Sequence, residues 1–367
     1  MKKIIYFNGR FLTQYQTGVQ RFAVELLNEL NQFIEIHELP DYQFTCLVPP
    51  GNIESIHRWG NIQIKICGKL KGNLWEQLAL PFYARNGLLI DLCNIGPICH
   101  FNQIIVIHDA SVFAIPKSYS RIFRLKYKFV YFFLSRIAKK IITVSQFSKK
   151  EISRFLQIPQ EKIMVISEGC DHILRIEKDD AILKKISYNQ DPYFLAVGSN
   201  SIHKNLNIVV QAILQLKNNL PKLVIVGGDY TKVFRNVDQI KNEKILYLGY
   251  VTDEQLRSLY EHATAFIFPS LYEGFGLPPL EALACGCPAI CSNRAAIPEI
   301  CGDAVLYFNP QNIQEIKTQI DILLTNKSLQ TQLRKKGKEY AMQFTWHKTA
   351  EMFIQTILSS NFNSFNN

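Results

Sequence analysis

Short β-branched runs alternate along the whole chain with longer stretches in which apolar residues recur every three or four positions. That alternation marks βαβ units, in which parallel strands are joined by crossover helices. In the first half it predicts strands at 3–7, 44–48, 62–66, 88–92, 103–107, 141–144 and 164–166, and helices at 19–31, 74–84, 120–138 and 149–155. A second series predicts strands at 193–197, 223–226, 245–248, 265–268, 289–291 and 305–308, and helices at 205–217, 252–262, 279–284 and 313–324. Between them the polar stretch 171–190 has no clear strand and is expected to be a hinge, after which Asp191-Pro192 introduces the next strand. Ser148-Lys149-Lys150-Glu151 reads as a capping box, which makes Ser145 and Ser148 structural.

A chain of 367 residues exceeds what one hydrophobic core usually supports, so two domains are expected, 1–170 and 191–349. With 47% hydrophobic and 20% charged residues it belongs to the globular class rather than the disordered or fibrous ones. Apolar runs such as Ile104 to Ile107 and Ala265 to Phe268 are strand-length, far short of the roughly 18 residues of a spanning helix. The first apolar run is cut by Asn8-Gly9-Arg10 too early for a signal peptide and reads as a strand. Nine cysteines without framework spacing point to reduced thiols and a cytoplasmic protein. Cys285-x-Cys287-x3-Cys291 fits no common zinc spacing and reads as buried small residues. No repeat is visible, and the Asn/Ser/Phe-rich tail 359–367 is expected to fray.

The most informative stretch runs from Pro269 to Gly286, where a buried strand leads through Glu273-Gly274-Phe275-Gly276-Leu277 into a helix beginning with prolines. Glycines admit a ligand close to the backbone, and a helix N-terminus offers unsatisfied N–H groups and partial positive charge suited to phosphate. The prolines carry no N–H, which leaves Gly274 to Leu277 as donors. Glu273 and Glu281 flank that phosphate position, and carboxylates accept strong hydrogen bonds from vicinal diols. A second loop, Val197-Gly198-Ser199-Asn200-Ser201-Ile202-His203-Lys204-Asn205, brings the cation of Lys204 to the end of another strand. Loops at strand carboxyl ends, where α/β sheets bind ligands, also carry Arg10, Gly18 and Gln20, and His108 with Asp109.

Glu273-x7-Glu281 with its Gly-Phe-Gly-Leu resembles the signature of the retaining glycosyltransferase family 4, of GT-B fold. The resemblance extends from Lys3 to about Leu358, and it implies two Rossmann-like domains with parallel sheets facing a central cleft, plus a C-terminal helix, 350–367, packing back on the first domain. It implies donor contacts from Gly18, Ser199, Lys204, Glu273, Gly274, Phe275, Gly276, Leu277 and Glu281. Glu273 would touch the donor sugar and Glu281 the ribose hydroxyls. His108, Asp109, Glu273 and Lys204 take the catalytic assignment, and Arg10 and Gln20 the acceptor side. The Lys204 loop is similar to the family's Gly-Ser-x-x-x-Arg-Lys-Asn, with His203 where Arg is usual.

The expected function is therefore transfer of a hexose from a nucleoside diphosphate sugar to a glycan or lipid-linked acceptor, with retention, in cell-envelope polysaccharide synthesis. With no Asp-x-Asp in the chain, no metal or other cofactor is expected. The alternative is a non-catalytic sugar-nucleotide or glycan-binding protein of the same fold. A nicotinamide oxidoreductase is disfavoured because no Gly-x-Gly-x-x-Gly follows the first strand. From Lys117 to Arg154 eleven basic residues face one acid, Glu151, an excess equal to the net charge of +10 of the whole chain. Aromatic and aliphatic residues interleave with them, which predicts an anionic membrane surface as partner at the inner face of the plasma membrane, rather than nucleic acid.

Overall fold

A computed structural model describes residues 2–51, 59–188, 192–216, 221–228, 240 and 242–359. Predicted features at 189–191, at 217 and in the tail beyond 359 lie outside the described residues. The chain divides into two compact units. One comprises Met1–Ala110, Leu125–Gly169 and Trp346–Asn367, the other Ser111–Arg124 and Cys170–Thr345.

The first unit holds a seven-stranded sheet in the order β3-β2-β1-β4-β5-β6-β7, parallel throughout. Its strands are β1 (Lys3–Asn8), β2 (Tyr42–Val48), β3 (Ile62–Ile66), β4 (Leu88–Asp91), β5 (Gln103–Val106), β6 (Lys140–Thr143) and β7 (Ile163–Val165). Every residue of β4 and β5 is buried, as befits strands covered on both faces. Strand order reverses between β1 and β4, so the connections leave in opposite directions there and open a crevice at the carboxyl ends. The C-terminal helix Trp346–Ser359 belongs to this unit and lies against the helix Gly18–His37. Its fully buried Trp346 meets the ring of Phe22 edge-on at 5.8 Å, and Thr349 donates to the Ser167 carbonyl at 2.8 Å.

The second unit holds a six-stranded parallel sheet, order β10-β9-β8-β11-β12-β13. Here the strands are β8 (Tyr193–Val197), β9 (Lys222–Val226), β10 (Ile245–Gly249), β11 (Ala265–Phe268), β12 (Ala289–Ser292) and β13 (Leu306–Phe308), and order reverses between β8 and β11. The stretch 171–188 contributes two short helices, His172–Arg175 and Ala181–Lys185, to this unit.

Three local readings differ from the sequence expectation. The helix that follows β6 begins at Gln146 with Ser145 as its cap, its hydroxyl accepting from the Ser148 N–H at 3.0 Å. Ser148-x-x-Glu151 therefore lies inside the helix and is no capping box; Glu151 pairs with Arg154 instead. The expected helix 74–84 runs from Gly72 to Tyr83 through a π-helical turn, Trp75–Ala79, ahead of Pro81, whose missing N–H cannot continue an α ladder. An unexpected helix, Lys327–Ala341, buries only Gln330, Leu333, Gly337 and Ala341, so its apolar periodicity is faint. A Cβ on Gly337 would stand 2.7 Å from the Leu283 side chain, so the glycine lets this helix approach closely.

Candidate active site

In the second unit the donor-side residues gather where the sheet order reverses. Lys204 lies on the loop after β8 and Glu273 on the loop after β11, and these strands are neighbours. Their loops are stitched together: the His203 carbonyl accepts from the Leu271 N–H at 2.8 Å and the Ser270 hydroxyl at 3.2 Å. Asn205, held at φ +56°, donates to the carbonyls of Pro269 and Pro310. This fastening brings Lys204 Nζ to 2.7 Å from Glu273 Oε1. Burial works to raise the Glu273 carboxyl, but the Lys204 ammonium and hydrogen bonds from Lys204 and Ser270 outweigh it and hold the carboxyl below its ordinary range. Ser199 bonds to Ser201 within the same loop.

His203 is buried, and burial together with the neighbouring Lys204 charge pushes its imidazole down to about 4. At neutral pH it is uncharged, so Lys204 supplies the loop's full positive charge.

Gly274, Phe275 and Gly276 are buried, and the helix begins two residues earlier than expected, at Leu277, running to Ala284. Gly276 caps it at φ +117°, a conformation that glycine alone adopts without strain. Prolines 278 and 279 remove two of the first-turn donors, so Gly276 and Leu277 keep the N–H groups nearest the Glu273 loop. Phe275 stands edge-on to Phe344 at 6.1 Å and anchors the turn.

Glu281 is buried, with one carboxylate oxygen 3.0 Å from His172 Nε2 and the other accepting from the Tyr260 hydroxyl at 3.2 Å. Sequence reasoning missed both partners. Tyr260 lay in a predicted helix as an ordinary apolar position, and His172 fell in the presumed hinge.

Beside the Lys204 loop is a cavity of about 240 Å³ lined by Gly198, Asn200, Leu206, Gly227, Tyr247 and Tyr250, among others. It is smaller than most small-molecule sites, of a size for one end of a ligand. Gly227 makes it possible: at φ +148° a Cβ there would stand 1.9 Å from the Gly198 carbonyl oxygen.

In the first unit the residues again sit at the switch point. Asn8 closes β1 and Asp91 closes β4, and the Asn8 amide donates to Glu76 at 2.9 Å and to Asp91 at 2.8 Å. Glu76 also pairs with Arg10 at 2.9 Å, and Arg10 donates to Asn73. Burial raises both carboxyls, Asp91 well above the usual range, against the opposing Asn8 bonds and the Arg10 charge. Arg10 thus holds the loop after β1 from within. Gln20 forms a capping box with Thr17 at the start of Gly18–His37. Gly18 is exposed, and a Cβ on it would meet nothing within 4 Å. Neither packing nor backbone strain requires glycine there.

His108 follows β5, buried, with Nε2 at 3.0 Å from the Leu92 carbonyl and Nδ1 at 3.4 Å from Glu168. Its ring lies edge-on to Phe22 at 4.8 Å, and the His108 backbone N–H donates to the Asn94 side chain. Asp109 beside it is half-buried. Glu168, an acid in a stretch with no other site signal, escaped the sequence reading. Cys285, Cys287 and Cys291 are buried, and burial raises all three thiols, Cys287 to about 12. Among the described residues no three His, Cys, Asp or Glu side chains gather as metal ligands would.

Two parallel α/β units, each presenting polar residues at the switch point of its sheet, define the two-Rossmann-domain class of GT-B glycosyltransferases. The solved structure of HepE from Anabaena in complex with UDP-glucose shares the fold, with a TM-score of 0.74 at 15% identity over 98% of this chain and 100% of that one. A family model described as glycosyl transferases group 1 matches residues 177–340. O-antigen chain mannosyltransferase B of Escherichia coli is 30% identical over 374 residues, covering 92% of this chain and 95% of its own. O-antigen chain mannosyltransferase RfbU of Salmonella typhimurium is 32% identical over 214 residues, 58% of each chain. The chain belongs to the glycosyl transferases group 1 family, and it is a glycosyltransferase.

Proposed function

We propose that the enzyme moves a hexose, mannose in the first instance, from a nucleoside diphosphate sugar to a lipid-linked glycan of a cell-envelope polysaccharide, retaining the anomeric configuration. The observation that carries the reading is the Lys204–Glu273 pair beside the Gly274–Leu277 turn, with Glu281 at the far end of the same segment. The mannosyl and O-antigen assignments are supported by the names of the two relatives. In this reading the diphosphate lies against Lys204, Ser199 and the N–H groups of Gly274 to Leu277. The ribose hydroxyls bind Glu281, set in place by His172 and Tyr260, and the base enters the cavity beside Gly198 and Gly227. Glu273 holds the sugar. In the first unit, taken by itself, the candidate residues are Gly18 for a phosphate group, His108 and Asp109 for sugar or acceptor hydroxyls, and Arg10 and Gln20 for the loop that carries them.

The bond that breaks joins the anomeric carbon to the diphosphate oxygen, and the electron pair leaves with the diphosphate. Lys204, the turn's N–H groups and the helix dipole stabilise that developing charge, as preorganised donors do, without a metal. The acceptor hydroxyl then attacks from the face the diphosphate leaves, and its proton passes to the departing phosphate oxygen.

The test is transfer from GDP-mannose, with other sugar nucleotides as controls, to a lipid-linked glycan, followed by NMR of the new linkage. Retention is expected; an inverted product would overturn the mechanism, and transfer of another sugar alone would overturn the mannosyl assignment. Glu281→Ala should weaken donor and free nucleoside diphosphate alike by roughly ten- to a hundredfold, while Glu273→Ala chiefly lowers turnover. Unchanged activity in both variants would remove the site.

A further inference from the structure

The helix Arg121–Ile137 carries two apolar faces. One, with Val130, Tyr131 and Leu134, is buried in the protein. The other points outward: in its first-unit portion Leu125 is 70% exposed, Phe129 55% and Phe132 49%. These positions recur at helical spacing, so they form one continuous stripe. Arg136 stacks on Phe132 at 3.6 Å, and the helix contains no acid at all.

A second stripe, invisible in the sequence, belongs to the same unit. On the helical stretch from Gly72 to Tyr83, Leu74 is 62% exposed, Leu78 64% and Phe82 59%, four residues apart. The π turn at Trp75–Ala79 tucks Trp75 and Glu76 inward and leaves this row outside. Arg85 stacks on Phe82 at 4.7 Å, and Lys65, Lys69 and Lys71 precede the row. The only acid between Lys65 and Arg85 is Glu76, which is buried against Arg10. The two elements are neighbours: Lys126 on the first helix lies within the electrostatic reach of Glu76 and Arg10.

We propose that these two stripes together form a membrane-docking surface of the first unit, entering the interface of a bilayer rich in anionic lipid. The chemistry chooses the occupant. Exposed leucine and phenylalanine favour the acyl boundary, and a rim of Lys and Arg with no exposed acid on either stripe favours a negative headgroup layer over an ordinary protein surface. Arginine stacked on an exposed ring suits an interface where one end of the pair is apolar and the other wet. Tryptophan at the second stripe turns inward, so leucine and phenylalanine alone make the insertion. The surface does not depend on which sugar or acceptor the enzyme uses, and its test reads no activity.

The full chain is mixed with vesicles of phosphatidylcholine, with or without phosphatidylglycerol, and floated through a density gradient. Two triple variants are compared, Leu74→Ser/Leu78→Ser/Phe82→Ser and Leu125→Ser/Phe129→Ser/Phe132→Ser, with thermal unfolding to show that each folds. The wild type should float with the phosphatidylglycerol vesicles and release as salt rises past the Debye regime. Each variant should lose roughly tenfold or more of that partitioning. A wild type that fails to float, one that floats equally with neutral vesicles, or either folded variant floating like the wild type would overturn the surface as stated. So would self-association without vesicles that both variants abolish, since a second copy of the chain would then be what covers the stripes.

Discussion

At the level of single residues, Gly18 and His203 make opposite demands. Gly18 has open space around the position of its missing Cβ and lies in the first turn of a helix. Gly18→Ala should therefore leave stability within about 0.5 kcal/mol, or raise it slightly by restricting the unfolded chain. If the glycine is there for a diphosphate, the same variant loses donor affinity. Urea midpoints beside a nucleotide-binding titration separate the two, and an alanine variant with unaltered affinity would dismiss Gly18 from the site. His203 is held down at about 4, below its ordinary 6.5. The unfolded chain thus binds a proton that the folded one refuses. The resulting cost is absent above about pH 6.5, grows as pH falls toward 4 and is constant below. His203→Gln should remove it, so that the variant gains about 2 kcal/mol over the wild type near pH 5 relative to neutral pH. Parallel stability curves for the two proteins would mean that burial does not depress this imidazole.

At the level of elements, all thirteen strands among the described residues were legible as short runs rich in β-branched and aromatic residues, whether buried on both faces like Ala265–Phe268 or at a sheet edge like Ile62–Ile66, where only Ile62 is buried. Ile62–Ile66, Tyr193–Val197 and Ala265–Phe268 match to the residue. Helices were legible only where an apolar stripe faces the sheet. Lys327–Ala341 escaped because small and polar residues make its buried face, and the π turn at Trp75–Ala79 because a one-residue offset in a helix leaves no composition signal. The loops carrying Glu273 and Lys204, and the helix start that leads to Glu281, were visible through their glycines and charges. The partners of Glu281, His172 and Tyr260, were not, nor was Glu168 beside His108, because a contact between distant residues, as between His172 and Glu281 across more than a hundred positions, has no local pattern. Gly227 is of that kind too. It ends a strand like many glycines, yet its backbone crosses the Gly198 carbonyl too closely for any side chain. Gly227→Ala should cost at least about 3 kcal/mol, far more than Gly18→Ala, through positive φ and a backbone clash that cannot relax cheaply. Equal urea midpoints for the two variants would show that the strand-end crossing is looser than its geometry.

At the level of the whole molecule, the question is how the charge of a departing nucleoside diphosphate is met. The net charge of +10 is concentrated in the segment from Lys117 to Arg154, so the rest of the chain is balanced and has no broad positive field to offer. Neutralisation must be local. In the free enzyme Lys204 is already paired with Glu273, and a bound donor would exchange that partner for a diphosphate oxygen while Glu273 turns to the sugar hydroxyls. In the proposed complex the remaining charge would fall to the N–H groups of Gly274 to Leu277 and the dipole of the helix Leu277–Ala284. No Asp-x-Asp occurs in the sequence to recruit a divalent ion to the diphosphate. Sugar transfer is therefore expected to continue in excess EDTA at a rate within about twofold of the untreated enzyme, a spread of less than half a kcal/mol in barrier. Lys204→Ala should instead lower turnover by a factor of about a hundred to a thousand, the scale of losing one preorganised donor to a developing anion. Lys204→Arg, which keeps the charge but changes its shape, should fall between. A rate that collapses in EDTA and returns with magnesium or manganese, or a Lys204→Ala enzyme of normal turnover, would mean that the diphosphate brings its own counterion and that Lys204 serves only to hold Glu273.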